Sequence, residues 1–241
     1  MNNLPALKKI LLETAKALGP KYCKEMTFVG GCTTGLLLTD EFTKEEVRYT
    51  NDVDLIVSVL SYVDYMSLTN KLKDHGFKST IPEQGENRPI CALMLGDLRV
   101  DFMPDRDFLG FYNLWYVDAM KTATEYPLDA DTVIRLISPV YFIATKLEAY
   151  KGRGNNDPLW SKDIEDILHL IDGREELIEE IKIADDSVRL YIAYELARLL
   201  ENKHFNYAVE SQAQGNSDRE EIILERIEKL LIANHNDSEN R

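Results

Sequence analysis

The sequence predicts an α/β protein, with a core of mixed β-sheet flanked by helices and an α-helical carboxyl-terminal region. Three observations carry this. Apolar runs of strand length, 24–29, 52–57, 90–95 and 98–103, fall in the first half and are separated by turn residues. A helical period opens the chain, and from Pro139 onward helical patterning replaces the strand-like runs. The expected division is an α/β core over residues 1–135 and an α-helical domain over 136–241 that completes the active-site cleft.

Leu4, Leu7, Leu11, Ala15 and Leu18 recur at helical spacing, and Gly19-Pro20 is expected to end that helix. Residues 24–29 read as a strand feeding Gly30-Gly31, and 32–38 as a helix. The polar stretch 40–51 reads as a surface connection beside the next strand. Residues 63–75 have helical character and stop at Gly76, while Gly96-Asp97 between two apolar runs marks a hairpin. Beyond Pro139, helices are expected over 140–150, 163–171, 175–200 (one or two) and 219–233.

At 241 residues the chain is long enough to bury a substantial core. The amino terminus has no apolar run behind its lysines and no stretch approaches a membrane span, so the sequence predicts a cytoplasmic protein without a membrane partner. Cys23, Cys32 and Cys91 are odd in number and widely spaced, which indicates neither a disulfide framework nor a zinc knuckle. A formal charge of −14 argues against nonspecific coating of nucleic acid. It leaves room for a local basic patch, for which Lys146, Lys151, Arg153 and Lys162 are the candidates.

Phe28-Val29-Gly30-Gly31-Cys32-Thr33-Thr34-Gly35 and Thr50-Asn51-Asp52-Val53-Asp54-Leu55-Ile56-Val57 carry the chemistry. Alternate residues of a strand share a face, so Asp52 and Asp54 point together while Val53, Leu55 and Val57 can enter the core. Two neighbouring carboxylates become compatible when a divalent cation lies between them, and Mg²⁺ is held by carboxylates and substrate phosphates. Asp101 stands alone on a strand that can lie beside the pair, which makes Asp52, Asp54 and Asp101 the candidate metal ligands for Mg²⁺ or Mn²⁺. Gly30 and Gly31 let a backbone approach an anion. Thr33 or Thr34 can add a hydroxyl to phosphates, and helix capping accounts for them equally well.

These motifs resemble the nucleotidyltransferase superfamily that includes DNA polymerase β: a hydrophobic residue and two small ones at Val29-Gly30-Gly31, then Asp-x-Asp at Asp52-Val53-Asp54. Residues 30–40 with 50–57 look most like the AbiEii-type bacterial branch, and the resemblance extends over 27–173. It implies metal-dependent transfer of NMP from an NTP to an acceptor hydroxyl with release of pyrophosphate. The acceptor it implies is an RNA end, tRNA in particular, with a protein or small molecule as alternatives. It further implies a toxin of a toxin–antitoxin or phage-defence system, with a cognate antitoxin as partner. A nucleotide-binding regulatory or partner-binding protein without turnover is the alternative from another class.

A second constellation runs through Lys146, Tyr150 and Arg153, at spacings that bring them near one helix face, and Asp163 with Asp166 on the next helix. The resemblance assigns Lys146 to the triphosphate and Asp163 to completing the site. An acid in a first helical turn also stabilises the helix dipole without catalysis. Arg153 in Gly152-Arg153-Gly154 can bind phosphate bidentately or stay solvated. His169 reads as a surface residue, and Phe108, Phe111, Tyr112, Trp115 and Tyr116 as either a base-stacking group or a core or lid segment.

Overall fold

The computed structural model describes residues 2–79, 89–153 and 157–232. In chain order the elements are α1 (Leu4–Glu25), β1 (Thr27–Val29), a 3₁₀ turn (Gly31–Thr33), α2 (Thr34–Leu37), α3 (Glu41–Glu45), β2 (Asp52–Val57), α4 (Tyr62–Asp74), β3 (Phe77–Lys78), β4 (Ala92–Leu95) and β5 (Leu98–Pro104). There follow α5 (Tyr116–Thr122), β6 (Thr124–Pro127), β7 (Val133–Leu136), α6 (Pro139–Gly152), a 3₁₀ turn (Pro158–Trp160) and α7 (Lys162–Gly173). The chain closes with α8 (Leu177–Lys182), α9 (Asp186–Leu200), α10 (Lys203–Gln212) and α11 (Ser217–Ile232). Two compact units result: residues 1–33 with 48–138, and residues 34–47 with 139–241.

The first unit is built on a seven-stranded mixed sheet in the order β3-β4-β5-β2-β1-β7-β6. Strands β2 and β5 pair in parallel, as do β1 and β7, and the other neighbours are antiparallel. In-register residues share a face, so Phe28, Leu55 and Phe102 line one side together, with Val53 and Val100. All five are buried, and Phe102 meets Phe77 edge-on with ring centroids 5.3 Å apart. The expected hairpin is present, closed by Gly96-Asp97 with Leu95 opposite Leu98 and Gly96 at φ +60°.

Helix α1 does not end at Gly19-Pro20. Gly19 leaves the helical region (φ 76°, ψ 168°) and the helix resumes to Glu25, burying Tyr22 and Cys23. Proline disfavours helical backbone at the residue before it yet is suited to a first turn, so the pair makes a kink followed by a restart. Strands β6 and β7 and helix α5 carry no clear sequence signal: Thr124, Glu125 and Pro127 are exposed on an edge strand and lack alternation.

In the second unit α6 buries every residue from Val140 to Leu147, and α7 buries Ile164, Ile167, Leu168 and Ile171 together with the polar Asp163, Asp166, His169 and Asp172. The stretch expected to be a surface connection contains α3, whose N-cap Asp40 accepts from the Thr43 backbone N–H at 2.7 Å. It packs on α7, where Gly173 O accepts from the backbone of Thr39 and Asp40 at 2.9 and 3.0 Å. A Cβ at Gly173 would lie 2.8 Å from Thr43 Cγ2, so only glycine admits this approach. Helix α10, absent from the sequence expectation, buries Phe205, Ala208 and Val209. Among the described residues no helix is long and apolar enough to cross a membrane.

Candidate functional site

In the first unit, the sheet face opposite Phe28, Leu55 and Phe102 gathers the charged residues. β2 places Asp52 beside Arg99 and Asp54 beside Asp101 across the parallel β2–β5 pair, while Val29 of β1 lies opposite Asp54. All four charged side chains therefore project to one side of adjacent strands. The chain leaves β1 through Gly30, at φ +78°, where a Cβ would fall within the Asp54 carboxylate. Gly30 is thus required twice, by its left-handed backbone and by the acid packed on its α-carbon.

Arg99 organises the acids. Its Nη2 pairs with Asp52 Oδ2, and its Nε faces Asp101 Oδ1 at 3.2 Å, while the Thr50 hydroxyl donates to Asp52 Oδ1. The Asp101 contact is out of hydrogen-bond alignment, and Asp101 Oδ1 has no hydrogen-bond partner among the described residues. Burial pushes the Asp101 carboxyl up to about 6, with Arg99 opposing and Asp52 adding to the rise. The Cys91 thiol is likewise pushed up to about 12, first by burial and then by Asp101 and Asp54.

Among the described residues no three His, Cys, Asp or Glu side chains form a ready-made metal cage. Mg²⁺ needs only one or two protein carboxylates when substrate phosphates supply further ligands. The buried Asp101 oxygen that makes no hydrogen bond among the described residues, and the neighbouring Asp54, suit such a donor set. The hydroxyl of Thr33 donates to Gly30 O at 2.8 Å, so it braces the glycine turn. Gly31 and Thr33 lie within the 3₁₀ turn. Thr34 opens α2 in the second unit, with its hydroxyl buried and lacking a hydrogen-bond partner among the described residues.

The second unit brings Lys146, Arg153 and Asp163 together, with Asp166 as a member not assigned a role from sequence. Lys146 Nζ lies 3.2 Å from Asp163 Oδ1 and 2.6 Å from Asp166 Oδ2, and 5.7 Å from the centre of the Phe142 ring. Arg153 Nη1 reaches the other oxygen of Asp163 at 3.3 Å. Asp163 and Asp166 lie three residues apart on α7 and face α6. Lys146 is therefore a buried, doubly paired cation.

The expected basic patch contracts accordingly. Lys146 is internal, and Lys151 pairs with Glu195 at 2.8 Å and Glu148 at 3.4 Å, which leaves Arg153 and the exposed Lys162. His169 is buried rather than on the surface, with Nδ1 3.0 Å from Glu165 O and Nε2 3.2 Å from Glu46 O. Of the aromatic cluster, Trp115 and Tyr116 are buried, and Tyr116 donates to Met103 Sδ at 3.0 Å; Phe111 and Tyr112 are exposed. Arg99 escaped the sequence reading as a site residue, although its position two residues before Asp101 on the same strand face was a usable signal. No protein-family model matches this chain, and no curated protein matches it in sequence.

Proposed function

We propose that the first unit carries a metal-dependent nucleotidyl-transfer site at Asp52, Asp54 and Asp101. The observation that carries this reading is the register of Asp54 against Asp101 on one sheet face, with Gly30 packed directly on the Asp54 carboxylate. Supporting it is the resemblance of Gly30-Gly31 and Asp52-Val53-Asp54 to polymerase β-like nucleotidyltransferases of the AbiEii-type branch. Asp54 and Asp101 would hold Mg²⁺ or Mn²⁺, with Asp52 completing the set when it parts from Arg99. The ion, when bound, lowers the pKa of an attacking hydroxyl and neutralises charge on a triphosphate. The acceptor hydroxyl loses its proton to solvent as its oxygen bonds to the α-phosphorus, the bond from that phosphorus to the β-phosphate oxygen breaks, and pyrophosphate leaves. Arg99 keeps Asp52 and Asp101 oriented, and Gly30 fixes Asp54. The acceptor favoured by the resemblance is an RNA end, tRNA above others, in a cytoplasmic toxin with a cognate antitoxin. Lys146, committed to Asp163 and Asp166, is not needed for this reading.

One observation favours the second reading, a nucleotide-binding protein without turnover: Arg99 already supplies a cation to Asp52 and Asp101. Incubation with each labelled NTP, total cellular RNA and Mg²⁺ or Mn²⁺ separates the two. Transfer predicts label on RNA and pyrophosphate release, both lost in Asp54→Asn while its circular dichroism stays unchanged. NTP binding without pyrophosphate release would establish the binding module. Label on protein or a metabolite would change the acceptor and keep the chemistry.

A further inference from the structure

We propose that the second unit binds a nucleotide of single-stranded RNA against the indole of Trp160. This site lies wholly in the second unit and does not rest on the transfer reading. Trp160 is 84 % exposed, so its indole face is accessible for stacking. Its backbone is pinned from both sides. Asp157 accepts from the Leu159 N–H at 3.1 Å, the Ser161 N–H donates to Pro158 O at 3.3 Å, and Ser161 Oγ accepts from Ile164 N–H at 3.4 Å as the cap of α7. The indole is thus mounted on a braced 3₁₀ turn.

Trp160 borders a cavity of about 500 Å³ lined also by Tyr150, Arg153, Asp157, Lys162 and Asp163, a volume within the usual range for small-ligand sites. Its charges are sorted by prior commitment. Asp157 is used by the turn and by His204 Nδ1 at 3.1 Å, and Asp163 by Lys146 and Arg153. Arg153 is anchored through one nitrogen yet 64 % exposed at its side chain, and Lys162 is exposed with no ion-pair partner among the described residues. An available aromatic face beside a guanidinium and an ammonium matches a base and its phosphate. The polar walls give an apolar protein side chain little to bury against. A duplex keeps its base faces stacked on one another, so the strand that can offer one to Trp160 is single.

The test uses short oligo(A) RNA with the full chain, without metal or NTP, so its failure leaves the transfer reading standing and failed transfer leaves this one standing. Binding is followed by fluorescence anisotropy of labelled RNA and by tryptophan emission, with Trp115 buried as an internal reference. Trp160→Ala is expected to weaken binding about fivefold or more and to abolish the emission change, while Trp160→Phe retains most of the affinity. Lys162→Ala is expected to weaken binding and to reduce the slope of log affinity against log salt by roughly one. Equal affinity of Trp160→Ala and wild type, no binding at low salt, or equal binding of duplex RNA would each overturn the proposal. AMP binding as tightly as the oligonucleotide would overturn the assignment to a strand.

Discussion

On the β2–β5 face Asp52 and Asp101 share the Arg99 guanidinium with Asp54 in register beside Asp101, whereas between α6 and α7 two carboxylates meet one ammonium and the Arg153 guanidinium. The residue types are the same and the outcomes differ. In the second unit Asp163, Asp166 and Lys146 lie out of water, and the two carboxylates are matched by Lys146 together with Arg153, whose side chain is 64 % exposed. In the first unit Asp52 and Asp54 are only half-buried, while Asp101 is buried and, like Asp163, has one oxygen that makes no hydrogen bond among the described residues. A balanced, closed network holds a structure together. Half-exposed carboxylates beside a glycine turn are suited to receive a cation.

Removing the ammonium gives the largest expected effect. Lys146→Ala leaves Asp163 and Asp166 facing each other inside the second unit, and breaking a buried pair this way costs about 3–5 kcal/mol. Urea denaturation checks it. A small loss of stability with transfer abolished would reverse the comparison and make Lys146 a functional residue.

Next in size is Gly30→Ala, which sharpens the claim that Gly30 fixes Asp54. Gly19 and Gly30 have nearly the same φ, +76° and +78°, but a Cβ at Gly19 meets nothing within 4 Å. Gly19→Ala should therefore cost only the strain of its positive φ, about 1–3 kcal/mol, and Gly30→Ala distinctly more through its collision with Asp54. Equal losses in thermal unfolding would show that Asp54 yields freely and is not held by the turn.

The smallest effect reads the buried Asp101 carboxyl itself. Asp101, pushed up to about 6 from 3.8, keeps its proton in the folded protein where the unfolded chain has released it. The unfolded state then binds fewer protons than the folded one between these values, so this contribution is full at lower pH and is lost as pH rises through 6. Asp101→Asn should remove that downward slope, and Mg²⁺ or Mn²⁺ should flatten it by favouring the carboxylate. An unchanged slope in Asp101→Asn, measured by urea midpoints across this range, would assign the titration elsewhere.

Much of this architecture was legible in local sequence because local physics produces it. The period of Leu7, Leu11, Ala15 and Leu18, the Gly96-Asp97 turn and the alternation about Asp52 and Asp54 each act within a few residues. The α/β class, the carboxylate strand and the helical second half follow from such signals. Continuation of α1 past Gly19-Pro20, the exposed edge strand β6 and the helical α3 were not legible, because packing partners far along the chain outweigh weak local preferences there.

Tertiary structure alone decided which charges meet. Sequence spacing places Asp52 with Asp54 and Asp163 with Asp166, each pair on one face of its own element. Only the parallel register of β2 with β5 sets Arg99 against Asp52 and Asp101 against Asp54, and only the packing of α6 on α7 turns Lys146 from a surface cation into a buried one. Periodicity fixes the direction of a side chain relative to its neighbours in sequence, while strand register and helix packing set its partner, and burial there decides what its charge costs.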